Sequence, residues 1–420
     1  MAKVKITGHA SGTGILTVAA PDTDVNRTIT LPDATGTLLN SDGSAASLTA
    51  IPAANITGTL PAIDGSSLTG IASYRPNANP IVINGDMRIA QRSVSETGIT
   101  SAGFHTVDRF DQKINSGGTW TITQSTDAPA GFTTSLKLDC TSTSTVSGSE
   151  RCYNRYHMEG QDLQLLNKGT AQAEATTVAF WVKSTKTGTF VCAVRDQDNN
   201  RGCSQQYTIS SSDTWEKKVI NFPADTTGTL DNDNNESLSI LFGNVAGTNY
   251  SSGTLRETWA ARVDADMFVG QVNGGDSTSN NFLMTGVQLE IGTFTSSTIP
   301  PFQHESYGAS LARCQRYCQK VGGLRQYGAI ASGNCGNATD TTVVLQFPVA
   351  MRRQPTIVIE TIGDWLIGSE AGYTFTSIVN YLDTFGGTLN TQGGSGMTAG
   401  NGCVLRVQTT GSHIFFTAEL

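Results

Sequence analysis

The sequence predicts a mostly β protein with ordinary hydrophobic cores, and three features of its composition lead to this prediction. Only 15% of the 420 residues are charged, compared with ~25% in an average soluble protein. The chain contains 45 glycines, and Ser, Thr and Asn are abundant, so strand and turn residues outnumber strong helix formers. Hydrophobic residues make up 38% of the chain, which is enough for ordinary cores and argues against a largely disordered protein.

The charge and hydropathy patterns narrow the range of partners. The formal net charge is −8 and the pI is near 5.2, and there is no long basic run. Nucleic acid is therefore not an expected partner. No apolar stretch approaches the ~18–20 residues of a membrane span, and the N-terminus lacks the apolar core of a signal peptide. We expect synthesis in the cytosol, no membrane insertion and no export by the usual route.

Residues 1–75 differ from the rest of the chain and predict a thin shaft. A degenerate repeat occupies residues 47–72, with the units SLTAIPA, NITGTLPA and SSLTGIA. Each unit has two aliphatic residues among Ser, Thr, Gly and Pro, too few for one strand to bury alone, whereas three chains around a common axis would share a thin core. The alternative is a flexible linker. The regular spacing of Ile and Leu favours the shaft, and with it an elongated homotrimer.

Residues 76–303 predict a β jelly roll. Apolar and polar residues alternate in a series of short segments that are separated by clusters of Gly, Asn and Asp. The clearest segments are 119–123, 135–138, 177–183, 190–195, 215–222, 237–242 and 282–290. Many short strands at this spacing, without helical runs between them, are typical of a sandwich or a jelly roll.

A short helix is predicted at 304–322, with Ser306 as its N-cap and Gly322-Gly323 as its end. Five residues of this segment follow one another at intervals of 4, 3, 4 and 3, the a/d pattern of a coiled coil two heptads long. They are Tyr307, Leu311, Cys314, Cys318 and Val321. In a homotrimer they would form the trimer seam of a short coiled coil. The alternative is that they pack on the chain's own domain.

The eight cysteines are too few to suggest a disulfide framework in a chain of this length. Buried free thiols are the expected state, although the pairs 140/152 and 192/203 are spaced like partners across hairpins. A thiolate metal site at Cys314 and Cys318 is disfavoured, because such sites use four ligands, whereas three equivalent chains supply ligands in multiples of three.

Residues 323–420 return to strand patterns and predict a C-terminal β sandwich of small size. The clearest strands are 342–347, 356–360, 404–408 and 413–418. If this domain is the distal end of an elongated molecule, it forms its tip.

Several segments resemble tail fibre proteins of tailed bacteriophages. NRTITLPDATGTLL resembles a segment of fibre N-termini and shafts, and NPIVINGDMRIAQRS followed by HTVDRF resembles the opening of a fibre β domain. VAFWVKSTKTGTF is similar to part of a jelly roll of the carbohydrate-binding-module type. The most specific match is NFLMTGVQLEIGTF followed by PFQHESYGASLARCQRYCQK, and FPVAMRRQPTIVI resembles the start of the domain after it.

This resemblance covers most of the chain and implies a homotrimeric receptor-binding fibre of the virion. It implies attachment of the N-terminal segment to phage tail or adaptor proteins, and binding of a bacterial surface glycan or protein by the distal domains, without catalysis. It carries over no sugar-contacting residue. Three aromatic residues on loop-rich sequence of the C-terminal domain are the candidate receptor contacts, because sugar faces stack on rings. They are Trp365, Tyr373 and Tyr381. Their alternative is burial in the core.

Two other functions remain open on the sequence. A tailspike-like fibre that hydrolyses surface polysaccharide needs two carboxylates ~5–9 Å apart. The candidates are Glu150, Glu159, Glu174, Asp196 and Asp198, but their spacing marks no pair. The third possibility is a structural or adaptor fibre that binds only virion proteins.

No catalytic metal site or cofactor is expected. The five histidines are scattered and form no His-Glu-x-x-His or Cys/His set. Segments 196–202 and 231–236 group oxygen ligands at alternate positions, but neither has the Glu that an EF-hand loop carries at its twelfth position. A structural calcium ion in one of these turns is the alternative that remains; polar turns between strands are the simpler interpretation.

Overall fold

The computed structural model describes residues 79–323 and 325–420, all of which belong to one compact unit. The predicted shaft at 1–75 lies outside the described residues. Within them the structure has 21 strands and two α-helices, so the prediction of a mostly β protein is confirmed. None of the helices in this part of the chain has the length and apolar character needed to cross a bilayer.

Eleven strands form the first β region, which is antiparallel throughout. They are β1 (Ser95–Gly103), β2 (Phe110–Ser125), β3 (Ser135–Ser142), β4 (Arg151–Glu159), β5 (Thr176–Ser184), β6 (Gly188–Asp196), β7 (Arg201–Ile209), β8 (Glu216–Phe222), β9 (Glu236–Ala246), β10 (Ala260–Ala261) and β11 (Asn281–Ile291). Their order is β10-β7-β6-β9-β4-β2-β3-β11-β5-β8, with β1 also paired to β2. A one-turn helix, α1 (Thr248–Ser251), follows β9.

The long strand β2 turns this single sheet into a sandwich. Its first half, 110–116, pairs with β4, and its second half, 119–125, pairs with β3. Between them Ser116 and Gly118 have φ values of 51° and 95°. A Cβ on Gly118 would lie 2.7 Å from the carbonyl oxygen of Ser142, so only glycine allows this close approach. The bend folds one half of the sheet over the other and produces the predicted jelly-roll-like architecture.

The core of the sandwich lies between the two halves of the folded sheet. Alternate residues of each strand point into it, as the period of two requires. Trp120, Phe180 and Phe242 are among its fully buried members, and the Phe180 and Phe242 rings meet edge to face with centroids 5.0 Å apart. Side chains of this kind each stabilise the fold by about 1.5–3 kcal/mol on burial.

The second β region contains two sheets that face each other. A three-stranded sheet has the order β12-β21-β15, and a seven-stranded sheet has the order β17-β16-β20-β13-β14-β19-β18. The strands are β12 (Cys318–Gly322), β13 (Ala329–Cys335), β14 (Thr341–Gln346), β15 (Thr356–Ile359), β16 (Trp365–Gly368), β17 (Gly372–Tyr373), β18 (Ser377–Asp383), β19 (Gly386–Gln392), β20 (Gly402–Val407) and β21 (His413–Thr417). Ile414 and Phe416 of one sheet pack in the same buried cluster as Leu389 and Leu405 of the other.

The helix predicted at 304–322 is shorter than expected. The helix α2 spans Tyr307–Gln315, with Ser306 as N-cap accepting a hydrogen bond from the amide of Ala309. Residues 318–322 form strand β12 instead, because their backbone groups pair with β21. The prediction of a helix two heptads long is therefore wrong. The spacing of apolar residues at 318–322 is compatible with either a helix or a strand, and the pairing with β21 selects the strand.

The five predicted seam residues consequently do not share one helical face. Tyr307 is 57% exposed, whereas Cys314 is fully buried beside Ile83 and Tyr317 of the same chain. Cys318 is buried in β12, and Val321 packs against the core of the second β region. The arrangement favours the alternative that this segment packs on its own chain.

All eight cysteines are buried and free. Burial raises the pKa of the Cys314 thiol well above its usual range, and it does the same for Cys318. Both therefore stay protonated at neutral pH and act as small apolar groups, rather than as thiolate ligands or redox-active residues.

A buried ionic joint connects the two β regions. Glu419, near the C-terminus, accepts hydrogen bonds from Arg109 Nη1 at 2.7 Å and from Arg92 Nη2 at 2.9 Å. Arg109 is 1% exposed, and its guanidinium lies 3.4 Å from the ring centroid of Tyr317. The adjacent residue Arg316 donates two hydrogen bonds, of 2.9 and 2.7 Å, to the buried carboxylate of Glu159, which also accepts one from the Tyr317 hydroxyl at 2.5 Å.

Replacement of Glu419 tests the contribution of this joint. Glu419→Gln is expected to lower the free energy of unfolding by about 3–5 kcal/mol at pH 7, because it leaves the buried charge of Arg109 without its carboxylate. Denaturant unfolding of the full chain measures the change. Glu257→Gln, at an exposed glutamate, is the control and should stay within about 0.5 kcal/mol of the parent. Equal unfolding midpoints for Glu419→Gln and the parent would contradict a structural role for the joint.

Candidate functional site

The outer face of one half of the jelly roll carries the candidate site. The side chains of strand β4 alternate between the two faces of the sheet. Cys152, Tyr156 and Met158 point into the core, whereas Tyr153 belongs to a separate buried cluster on the outer face. By the period of two, Arg155 and His157 lie on the same outer face as Tyr153. Lys113 of β2 is registered directly opposite Tyr153, and Asp111 is opposite Arg155.

Part of this face is covered by the chain itself. The segment 248–272 packs on it through Tyr250, Met267 and Phe268, which cluster with Tyr153 and Leu241. The rings of Tyr153 and Phe268 lie 5.2 Å apart, and Tyr153 is only 1% exposed. The aromatic surface of this face is thus mostly used by internal packing.

Basic side chains lie on this face beside the covering segment, and one of them belongs to the segment itself. We call the group Lys113, Arg151, Arg155, Arg195 and Arg262 the basic platform. All five are partly accessible. The first four come from strands β2, β4 and β6, and β9 lies between β4 and β6. Burial, followed by the nearby charges of Arg155 and Arg151, lowers the pKa of Lys113. Burial and the charges of Arg262 and Arg155 likewise lower the pKa of Arg195, which places these groups within electrostatic range of one another.

A buried row of ion pairs supports one side of the platform. Arg155 donates to both oxygens of Asp111, at 3.1 and 2.8 Å. His157, 1% exposed, has Nε2 at 3.1 Å from Asp111 Oδ1 and Nδ1 at 2.8 Å from Glu236 Oε1. Two carboxylate oxygens thus lie beside the ring, and their negative charges favour the protonated imidazole. Burial alone would lower the pKa of His157, but hydrogen bonds to Asp111 and Glu236 raise it overall.

The structure separates the three predicted receptor contacts. Trp365 is fully buried in the core of the second β region, so its ring faces are not available to a ligand. Tyr373 is partly buried and packs against the same core. Tyr381 is 65% exposed on β18, and Val344, in the same row of the sheet, is 61% exposed. Trp365 thus follows the alternative of core burial, and Tyr381 remains a candidate contact.

Two of the five carboxylates considered for hydrolysis are held in buried ion pairs. Glu159 pairs with Arg316, and Asp196 with Lys168. Glu174 and Asp198 are exposed and Glu150 is partly buried. A general acid has to reach the glycosidic oxygen, so Glu159 and Asp196 are not available for that role in this conformation.

Lys168 occupies the place that a cation would take beside segment 196–202. Its ammonium donates to Asp196, to Asp225 at 2.9 Å and to the carbonyl oxygen of Gly228 at 2.9 Å. It also lies 4.6 Å from the ring centroid of Trp259. Burial alone would raise the pKa of Asp225, but hydrogen bonds from Arg201 and Lys168 hold it well below its usual range. Within residues 79–323 and 325–420 no three His, Cys, Asp or Glu side chains are grouped to hold a metal ion.

None of the five residues of the basic platform was predicted as a site residue from the sequence. The signal was present in RCYNRYHME of β4, where Arg151, Tyr153, Arg155 and His157 alternate with core residues. This pattern identifies one polar face of a strand. The contribution of Lys113 and Arg195 required knowledge that β2 and β6 run beside β4 and β9.

Comparisons with known proteins give distant structural matches. No family model and no curated protein matches the sequence. Among solved structures, the chain is similar to a family 11 carbohydrate-binding module from Clostridium thermocellum, in complex with a β-1,3-1,4-mixed-linked tetrasaccharide. The identity is 14% over 48% of this chain and 98% of that chain, with a TM-score of 0.26.

Two further matches have similar scores. A putative sugar binding protein from Bacteroides thetaiotaomicron is 13% identical over 51% of this chain and 100% of that chain, with a TM-score of 0.26. The enzymatically active domain of tailspike protein 4 from bacteriophage CBA120 is 14% identical over 50% of this chain, but the match spans only 21% of that chain, with a TM-score of 0.26. At these identities and TM-scores the matches assign no function.

The charge state of His157 predicts a pH dependence of stability. Its pKa is raised in the folded protein above the value of about 6.5 in an unfolded chain. Its contribution is therefore complete below pH ~6.5 and is lost as the pH rises through the folded pKa. Denaturant unfolding at pH 5.5, 6.5, 7.5 and 8.5 should show parent stability decreasing with pH relative to His157→Gln. A constant difference between the two proteins over this range would contradict the protonated state.

Proposed function

We propose that this chain is a tail fibre protein of a tailed phage, and that its jelly roll binds a glycan of the bacterial surface. The observation that carries the proposal is the outer face of β2, β4 and β6, where polar side chains remain accessible. Lys113, Arg151 and Arg195 on this face are partly accessible. Their side chains are hydrogen-bond donors, and the oxygens of a saccharide would accept from them.

The sequence resemblance supplies the biological setting of this proposal. It implies a receptor-binding fibre in the virion, anchored through the N-terminal segment and exposing its distal domains to the host. A rigid β scaffold suits this role, because it holds binding side chains in place without a cost of ordering them. Tyr381 on the open face of the second β region is a further candidate contact with the receptor.

The homotrimer belongs to the same proposal and rests on the repeat at 47–72. Three chains per fibre would increase the avidity of individually weak sites. Sedimentation of the full chain in native buffer should give a mass of about three chains, three times the 44.3 kDa of one. A monomer at micromolar concentration would rule out the trimeric fibre, although it would leave glycan binding by the jelly roll open to its own test.

Binding to intact bacteria tests the receptor class. The labelled full chain should bind cells of at least one strain in a broad panel. Binding should be lost when periodate oxidises the surface glycans and should survive treatment of the cells with proteinase K. Flow cytometry measures both. Loss with proteinase K alone would instead identify a protein receptor, and failure to bind any strain would favour the adaptor fibre.

A reducing-end assay on polysaccharide from the same cells distinguishes binding alone from hydrolysis. Purified surface polysaccharide from a bound strain, incubated with the full chain, should release no new reducing ends if the protein only binds. A progressive increase would show the tailspike-like activity. Glu174→Gln and Asp198→Asn would then be the first variants to test, because both carboxylates are exposed.

A further inference from the structure

We propose that the ligand of the jelly roll is an anionic polysaccharide, and that the basic platform binds its carboxylate or phosphate groups. This inference rests on the glycan-binding proposal above and specifies the chemical class of the glycan. It depends on four features of the described residues: the placement of the basic groups, the lack of ion-pair partners for three of them, their accessible donors, and the covered state of the nearby rings.

The placement follows from the register of neighbouring strands. Lys113 is opposite Tyr153, and Asn115 is opposite Arg151, on the β2–β4 pair. Arg195 of β6 is opposite Ser239 of β9, which in turn is opposite His157 of β4. Paired residues on adjacent strands have Cβ atoms about 4.5–5.5 Å apart. Lys113 and Arg151 therefore rise from neighbouring strands, and Arg195 rises two strands beyond β4 on the same face of the sheet.

Three members of the platform have no acidic partner. Arg155 pairs with Asp111, and Arg262 lies 3.0 Å from the exposed carboxylate of Asp264. Lys113, Arg151 and Arg195 form no ion pair with any carboxylate of the described residues. The carboxylates of Asp111 and Asp264 attract Lys113 and Arg195, respectively, only from beyond ion-pair distance. Like charges in proximity repel one another, and an anionic ligand would relieve that repulsion.

The guanidinium groups also have unused hydrogen-bonding capacity. Arg151 and Arg195 are partly accessible, but their Nε atoms are buried, so the terminal Nη groups are the donors left for a ligand. Arg151 is held in position by Tyr250, whose ring centroid lies 4.5 Å from the guanidinium carbon. A guanidinium that is already oriented loses less entropy on binding, and its planar donors match the two oxygens of a carboxylate or phosphate.

The aromatic residues on this face argue against a neutral glycan as the ligand. Neutral sugars are recognised largely by stacking on exposed rings. Tyr153 is 1% exposed and Tyr250 is 9% exposed, and both pack in the cluster formed with segment 248–272. The accessible groups are therefore charged donors, which favour a ligand with negative charge.

An array of purified bacterial capsular and O-antigen polysaccharides tests the inference. It should contain neutral polymers, phosphate-substituted polymers, and uronate polymers presented both intact and with their carboxyl groups chemically reduced. The full chain should bind acidic members in preference to neutral ones. Binding to a uronate polymer should fall by at least about tenfold after carboxyl reduction, the scale of one lost charge-assisted contact. It should also weaken between 50 and 500 mM NaCl, because salt screens charges on accessible surfaces.

Matched lysine variants locate the interaction. Lys113 and Lys217 are both partly buried lysines on strands, and neither forms an ion pair with a carboxylate of the described residues. Lys217 belongs to β8 in the other half of the sandwich. Lys113→Gln should weaken binding to the preferred acidic polymer by about tenfold, and Lys217→Gln should leave it unchanged. Arg195→Gln should act like Lys113→Gln, and thermal unfolding of each variant checks that the fold is retained.

The outcomes separate this inference from the proposed function. Preferred binding to neutral or carboxyl-reduced polymers, unaffected by Lys113→Gln and Arg195→Gln in folded protein, would overturn the anionic ligand while leaving glycan binding in place. Equal losses with Lys113→Gln and Lys217→Gln would overturn the location on the basic platform. Failure to bind any polysaccharide of the array would overturn both proposals.

Discussion

The buried pairing of Arg109 with Glu419 is the interaction on which the relation of the two β regions depends. A guanidinium that is 1% exposed needs a paired charge and bonded donors to be tolerated. Here Glu419 and a β4 carbonyl accept from the two Nη atoms, whereas the buried Nε has no hydrogen-bond partner among the described residues. Arg352 extends this joint, because it donates to the carbonyl oxygens of Ala418 and Glu419 as well as to Asn234 of the jelly roll. Residues far apart in sequence are thereby fixed as one unit.

Strand β4 connects this joint to the basic platform. The carbonyl oxygen of His157 accepts a hydrogen bond from Arg109 at 2.9 Å, while the imidazole of the same residue contacts Asp111 and Glu236. Asp111 in turn holds Arg155. The backbone of β4 thus takes part in joining the two β regions, and its outer side chains orient part of the proposed binding surface. In the proposed fibre, this connection would hold the binding surface in a fixed position relative to the second β region.

Several of the segments that carry the resemblance to phage fibres meet at the joint rather than on the platform. From NPIVINGDMRIAQRS come Asn84, which hydrogen-bonds to the backbone of Ile89 and Asp108, and Arg92, which binds Glu419. HTVDRF supplies Arg109, and the Cys-Gln-Arg-Tyr stretch supplies Arg316 and Tyr317. These motifs therefore read as structural in this chain. The proposed binding residues of the basic platform lie outside these motifs.

Sequence alone determined the properties that depend on local pattern: the β-rich class, most strand positions, the N-cap at Ser306 and the burial of the cysteines. It misjudged 316–322, because the intervals of 4, 3, 4 and 3 that suit a helical face also occur by chance in a segment whose backbone pairs with β21. Likewise, Trp365 on loop-rich sequence looked accessible until the packing of two sheets enclosed it. The basic platform is a product of tertiary structure alone, since its members come from three strands and a loop that are separated by up to 149 positions, from 113 to 262. Hydrogen bonding between distant segments decides which strands are neighbours. The order of the strands in turn decides which charged side chains lie together on the surface.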